Sequence, residues 1–404
     1  METNEKRGIK GMGPDVYRGI TLEGEAVEVT VSGPVIASVT PAGRTPGLPR
    51  LLPALVDLQH NGALTHAYNN LTEDSGGELE EISAHLRRNC VGRVLATFTT
   101  ADYPRLRRAA AALGRMLGEN KEASSLFAGI FHEGVFISPD PGWRGGHAPE
   151  FIKSPDWDEF SRLNELSGGR VRMVNVAPEA EGAMDFIRHA SSAGIKVALG
   201  HCHPDTAVIR KAAACGATAV THFANGAAPE IHRFRNPFWG FLDTEELSLG
   251  LVGDGFHLPP EVVHVALKCK TPEKCFMVSD ANIYSGCAPG LYHRIGGLDC
   301  VIEENGFIHV AGQEILAGAW FQQNRCVEFL TGRCGVGFDI AWKMCSVTPA
   351  RIAGIALPML KKGDEATFVV YPEGGKPELV FRGKRTRGTP RTDMKGSEKC
   401  GISA

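Results

Sequence analysis

The sequence predicts an α/β fold: a (β/α)8 TIM barrel with a small β-sandwich domain built from both chain termini. Three observations predict it. Eight short apolar runs alternate with amphipathic stretches between residues 51 and 280; this rhythm means a parallel sheet, and eight is the strand count that closes a barrel. Short β-like runs stand near both chain ends, each set too short for a core of its own. No glycine-rich dinucleotide fingerprint follows the first strand, which weighs against an open doubly wound sheet.

Taken in order, residues 1–13 are polar and glycine-rich, and a mobile end is expected. Val16-Tyr17, Ala26 to Val31 and Val35 to Val39 alternate apolar with polar residues, as a small antiparallel sheet requires. Residues 41–49 are rich in turn formers and read as a linker. The barrel strands are expected at 51–58, 93–99, 127–133, 171–177, 195–200, 217–222, 247–253 and 275–280. Helices over 78–90, 103–117, 182–193 and 204–215 separate several of them. Beyond Asp280 the pattern is irregular until helices near 321–330 and 339–345. The β rhythm returns at Ala366 to Tyr371 and Glu378 to Phe381. The expected division is 1–50 for the N-terminal part of the small domain, 51–357 for the barrel, and 358–404 for the C-terminal part and tail.

Composition narrows the function. Among 404 residues, 43 basic against 46 acidic side chains give a net charge of −3. The body has no basic stripe, so neither nucleic acid nor membrane is an expected partner; Arg382 to Arg391 reads as a short solvated tail. No secretory leader or membrane-length apolar run is visible. The eleven cysteines are odd in number and without a CxxC pair, which fits reduced thiols in a cytoplasm.

Four residues close apolar strands: Glu133, His201, His222 and Asp280. Polar groups at the carboxyl ends of barrel strands are where this architecture keeps its chemistry. Two imidazoles and one carboxylate suit a divalent metal with open positions, and the remaining carboxylate suits a proton carrier. Each has a plainer alternative: a surface carboxylate for Glu133, structural histidines, and a turn cap for Asp280. His203 shares the parity of His201, but Pro204 is expected to open the next helix and leave His203 in the loop. His132 is expected to pack away from the site. On the first strand Gln59 and Asn61 occupy the period-2 positions where a His-x-His pair would serve a metal, while His60 points to the opposite face. Their neutral amides are weak ligands, so hydrogen bonding at the barrel mouth is expected of them, and a second metal is not.

The loops beside these strand ends carry Gly142-Trp-Arg-Gly-Gly-His147, Asn225-Gly226, His232-Arg233-Phe-Arg235 and Gly253-Asp-Gly-Phe-His257. Asp57-Leu-Gln-His-Asn-Gly62, His132-Glu-Gly-Val-Phe-Ile137, Gly145-Gly-His147, Ala177-Pro-Glu179, Gly200-His201, Thr221-His222 with Asn225, Asp254-Gly-Phe-His257, Ser279-Asp-Ala281, Leu316-Ala-Gly318 and Thr348-Pro-Ala350 resemble the N-acetylglucosamine-6-phosphate deacetylases of the amidohydrolase superfamily. The resemblance runs from Pro53 to about Gly354. It implies one metal held by Glu133, His201 and His222, with Asp280 as acid/base. It also implies a sugar site lined by Gly146, His147, Asn225, Gly226, His257, Leu316, Ala317 and Gly318, and a homodimer. It weakens at His232-Arg-Phe-Arg-Asn-Pro-Phe-Trp-Gly240, where either Arg233 or Arg235 matches the phosphate-binding arginine and Phe238 replaces a glycine. Ala319-Trp320 and Asn225-Gly-Ala227 depart as well.

The resulting expectation is hydrolysis of the N-acetyl amide of N-acetylglucosamine 6-phosphate to acetate and glucosamine 6-phosphate. Asp280 would move the proton, and His147 and the metal would stabilise the oxyanion. The metal is expected to be zinc, with iron, cobalt or manganese as alternatives. Two rivals stand beside it: an amidohydrolase acting on an unphosphorylated or different N-acyl sugar or amide, and a catalytically silent sugar-phosphate-binding barrel.

Overall fold

A computed structural model describes residues 15–293, 299–313 and 315–386. The glycine-rich residues 1–13 lie outside the described residues, as does the basic tail beyond 386. The described chain forms two compact units, one from 54–357 and one from 15–53 with 358–386.

The larger unit contains eight parallel strands: β1 (Leu55–His60), β2 (Val91–Phe98), β3 (Phe127–His132), β4 (Val171–Val176), β5 (Lys196–Leu199), β6 (Ala217–Val220), β7 (Ser248–Val252) and β8 (Cys275–Val278). Neighbours in sequence are neighbours in the sheet. Every residue of β1, β2, β7 and β8 is buried, which is why these strands read as apolar runs rather than as alternations. Between β8 and β1 no strand ladder forms among the described residues. A single parallel bridge, His60 with Ala281, spans that seam.

The barrel is filled by Leu58, Leu95, Phe131, Met173, Phe276 and Val278, with Ala350, Ile352 and Ala353 of the helix Val347–Ala353 packed among them. Burying a side chain the size of Phe131 contributes about 1.5–3 kcal/mol. The surrounding helices begin where their sequences dictate. Asp102 accepts from Arg105 N at 2.9 Å to start Tyr103–Glu119, whose buried stripe includes Leu106, Ala110, Leu113 and Leu117. Asp205 caps Val208 N in the same way, so the helix starts at Thr206, two residues later than Pro204 suggested. The irregular stretch after β8 contains an antiparallel sheet of Gly290–Tyr292, Cys300–Ile302 and Ile308–Val310.

In the smaller unit both chain ends enter one seven-stranded sheet. Arg50–Pro53 pairs antiparallel with Phe368–Tyr371 and, at Ile20–Arg50, parallel with Asp15–Ile20. The sheet curls on itself through the Val35–Glu365 bridge, around Tyr17, Val29, Ile36, Leu51, Phe368 and Val380. The run expected as one barrel strand at 51–58 is therefore two strands. Arg50–Pro53 belongs to this sheet, and the barrel strand starts at Leu55.

Candidate active site and metal centre

The four strand-end residues meet at the carboxyl ends of the barrel strands, and three of them sit on strained backbone. His201, His222 and Asp280 have φ of 50°, 28° and 50°. Side chains with a Cβ rarely adopt this left-handed region, and each instance costs about 1–3 kcal/mol. Glu133 is held differently. Its N–H and that of Gly134 both donate to Phe98 O, at 3.0 and 3.2 Å. Gly134 lies so close to β2 that a Cβ would come within 2.1 Å of Thr100 N.

The donor atoms converge. His222 Nε2 lies 2.9 Å from His201 Nε2 and 3.2 Å from Glu133 Oε1, and His201 Nε2 lies 3.5 Å from the same oxygen. Donors around a tetrahedral ion with bonds of about 2.0–2.1 Å stand roughly 3.3 Å apart, so the trio fits a divalent cation. His201 Nδ1 donates to Trp143 O at 2.9 Å, which turns its Nε2 lone pair toward that point, the usual arrangement for a metal-binding imidazole. A second trio overlaps the first: Glu133, His147 and His201 also present ligand atoms within 4.8 Å of one another. His222 makes the tighter set, and His147 Nδ1 is engaged by Thr100 Oγ1 at 2.7 Å.

Gln59 and Asn61 reach the same place as amide donors. Gln59 Nε2 donates to Glu133 Oε1 at 2.7 Å and to Asp280 Oδ1 at 3.2 Å, and Asn61 Nδ2 donates to Asp280 Oδ1 at 2.9 Å. Burial, then the charge of Glu133, holds the Asp280 carboxyl above its ordinary pKa, against the pull of His222, His257 and the Asn61 hydrogen bond. Burial works the same way on Glu133, but hydrogen bonds from His201 and His222 outweigh it and leave Glu133 strongly acidic. Burial opposes charge on His257, yet Asp254 at 2.7 Å and Asp280 prevail and raise its pKa.

Other residues singled out in the sequence fall into place unevenly. His147 stacks edge-on against His201 with ring centroids 4.5 Å apart. Gly226 lies against the His201 ring. Ala319 N donates to Asp280 O, and Asn282 binds Ala317 O, so Leu316, Ala317 and Gly318 run beside Asp280. Asn225 is half-buried and Gly146 exposed. Arg233 and Arg235 are exposed on a tied turn: His232 Nδ1 accepts from Arg235 N, and Trp239 Nε1 donates to Arg233 O. His60 points elsewhere, bonded to Tyr68 OH at 2.8 Å, with its pKa driven down to about 3 by burial. His132 packs against Phe136 and Phe160. His203 stands in the loop between Glu179 and Asp140.

Sequence reasoning missed Thr100, the Trp143 carbonyl and Asp57. Thr100 follows a strand end just as the four principal residues do, and that position was its available signal. A backbone carbonyl leaves no signal.

The described chain thus carries a barrel with an acid–imidazole cluster at its strand ends and a β unit made from both termini. No family model matches the chain. A Bos taurus N-acetylglucosamine-6-phosphate deacetylase is 28% identical over 334 residues, 80% of each chain. An Escherichia coli O157:H7 N-acetylgalactosamine-6-phosphate deacetylase is 28% identical over 326 residues, 80% of this chain and 84% of that one. The fold matches that of a Mycobacterium smegmatis N-acetyl-D-glucosamine-6-phosphate deacetylase with TM-score 0.81 at 24% identity, over 93% of this chain and all of the other. An enamidase of the amidohydrolase superfamily matches with TM-score 0.55 at 12% identity, over 94% and 97% of the two chains. Over most of its length the chain is similar to N-acetylglucosamine-6-phosphate deacetylases.

Proposed function

We propose that the protein hydrolyses the acetamide of N-acetylglucosamine 6-phosphate, giving acetate and glucosamine 6-phosphate. The observation that carries this reading is the convergence of Glu133, His201 and His222 on one point beside the buried Asp280. Glu133, His201 and His222 would hold one divalent ion per subunit, zinc before iron, cobalt or manganese. When bound, such an ion acidifies a water and polarises an acyl carbonyl.

Asp280 takes a proton from the attacking water and returns it to the amine nitrogen as the C–N bond breaks. Gln59 and Asn61 aim its carboxylate. Thr100 Oγ1 accepts from Val135 N at 3.1 Å; donating its own proton to His147 Nδ1 leaves His147 Nε2 protonated and able to donate to the carbonyl oxygen. Arg233 or Arg235 would meet the phosphate.

A second reading keeps the chemistry and inverts the sugar's C4 centre, because one of the relatives is named for N-acetylgalactosamine 6-phosphate. We further propose a homodimer, supported by the exposed Ile231, Phe234 and Trp239, and a cytoplasmic setting, supported by the free thiols of the described cysteines. Among the described residues, no helix is long and apolar enough to cross a membrane.

The test is acetate release by the metal-loaded protein from both 6-phosphorylated epimers and from unphosphorylated N-acetylglucosamine. Turnover should be fastest on N-acetylglucosamine 6-phosphate, and Asp280→Asn should abolish it with metal content retained. Binding of the sugar phosphate without turnover would refute the enzyme reading, and near-normal turnover by Asp280→Asn would refute the role of that carboxylate.

A further inference from the structure

The barrel is not sealed by backbone alone. Where β8 should pair with β1, buried side chains replace the missing ladder. Gln323, fully buried, donates both amide protons across the seam, to Val56 O at 2.9 Å and to Met277 O at 2.8 Å. Asp57, also fully buried, accepts three hydrogen bonds. Two come from Ser279, from its N–H at 3.1 Å and its Oγ at 2.5 Å, and one comes from Gln59 N at 3.3 Å. Just above this pair the backbone takes over: Asp280 N donates to Gln59 O at 2.9 Å and Asn61 N donates to Ala281 O at 3.0 Å.

The seam is also where the proton-transfer group must be aimed. Asp280 directly follows Ser279 and adopts φ of 50°. Ser279 is fixed on both sides, through Asp57 below and through its Oγ, which accepts from Ala281 N at 3.1 Å. Of the two amides that grip the Asp280 carboxylate, Gln59 stands on the strand that carries Asp57 and Asn61 directly follows that strand. One buried carboxylate thus ties the segment bearing the acid/base to the segment bearing its hydrogen-bond donors. None of the chemistry described above uses Asp57, and a carboxylate is an expensive side chain to bury for packing alone.

We propose that Asp57 and Ser279 form a positioning pair that sets the register of Asp280 against Gln59 and Asn61. The pair acts on the rate of the chemical step and not on substrate or metal binding. The inference rests on the assignment of Asp280 as the acid/base, and the experiment separates the two.

Ser279→Ala, Ser279→Thr, Asp57→Asn and Asp280→Asn are compared in the metal-loaded enzyme, with acetate release from N-acetylglucosamine 6-phosphate and metal per subunit measured for each. Because a displacement on the scale of 1 Å costs up to about 100-fold in rate, Ser279→Ala should lower kcat about 10- to 100-fold. KM should stay within about twofold and metal content should be unchanged. Ser279→Thr keeps the hydroxyl and should recover most of the rate. Asp57→Asn keeps the shape and is the second route should Ser279→Ala fail to fold; it too should lower kcat and spare KM. Wild-type kcat in Ser279→Ala, or metal lost in proportion to rate, overturns the positioning role. Active Asp280→Asn overturns the underlying assignment instead.

Discussion

Gly226 offers a sharp test of how the metal centre is built. Its φ is +57°, and a Cβ placed there would lie 2.6 Å from His201 Nδ1 and 2.7 Å from Cε1. Comfortable contact begins near 3.5 Å, so in Gly226→Ala the ring or the loop must give by nearly 1 Å. The ring is tethered through Nδ1 to Trp143 O at 2.9 Å, and a displacement of that size breaks the bond. Two costs follow. Left-handed backbone costs alanine about 1–2 kcal/mol, paid in stability whether or not metal is present. Loss of the partner that orients a metal-binding imidazole lowers metal affinity about 10- to 100-fold. Gly145 separates the two costs. It too has positive φ, +60°, but its Cβ would meet His201 Cε1 at 3.4 Å, an ordinary contact. Gly145→Ala should therefore also lose stability, its backbone standing at φ 60° and ψ −137°, a conformation still less open to alanine, and keep its metal affinity within about threefold. Competition with a chelator gives the affinities, and thermal unfolding of the metal-free proteins gives the stabilities. Equal loss of metal affinity in the two variants would refute the claim that the Gly226 contact orients His201.

Two further outcomes follow from the structure. Burial raises the Asp57 pKa from 3.8 to about 7, so its contribution to stability is intact below pH 4 and is lost as pH rises through 7; relative to Asp57→Asn, the wild type should lose up to about 4 kcal/mol between pH 4 and 8, at about 1.4 kcal/mol per pH unit, and a flat difference in denaturant midpoints across that range would refute it. If Arg233 or Arg235 holds the phosphate, the corresponding alanine variant should raise KM for the phosphorylated sugar about tenfold or more, a charged hydrogen bond being worth about 1.5–3 kcal/mol, and leave the unphosphorylated sugar unaffected; equal effects on both sugars would exclude a phosphate contact.

The barrel was legible because buried parallel strands appear in sequence as unbroken apolar runs, and its candidate site was marked by the polar residue at which several of these runs stop. The same property hid the first boundary. Leu51 to Leu58 reads as one run, yet Arg50–Pro53 pairs antiparallel in the sheet of the smaller unit and only Leu55 onward enters the barrel. Apolar character reports burial and not the sheet in which a residue is buried. At the site, side-chain donors could be read from strand-end position. The positive φ at His201, His222 and Asp280 could not, because none is a glycine and the conformation is imposed by tertiary contacts. The Asp57–Ser279 pair spans 222 positions, a separation at which no local pattern survives.

If Asp280 is the proton carrier proposed above, Gln59 and Asn61 favour one metal over two. A carboxylate that must accept and then release a proton needs a pKa held between two failures. Pinned by cations, it never accepts a proton; buried without donors, it never releases one. Burial and the charge of Glu133 push Asp280 upward, and His222, His257 and the amide of Asn61 pull it down. Histidines at 59 and 61 would bring a second cation beside Asp280 and hold its carboxylate ionised more firmly than the amides do. The two amides therefore do more than vacate a metal site: they hold the Asp280 carboxylate by hydrogen bonds at 3.2 and 2.9 Å.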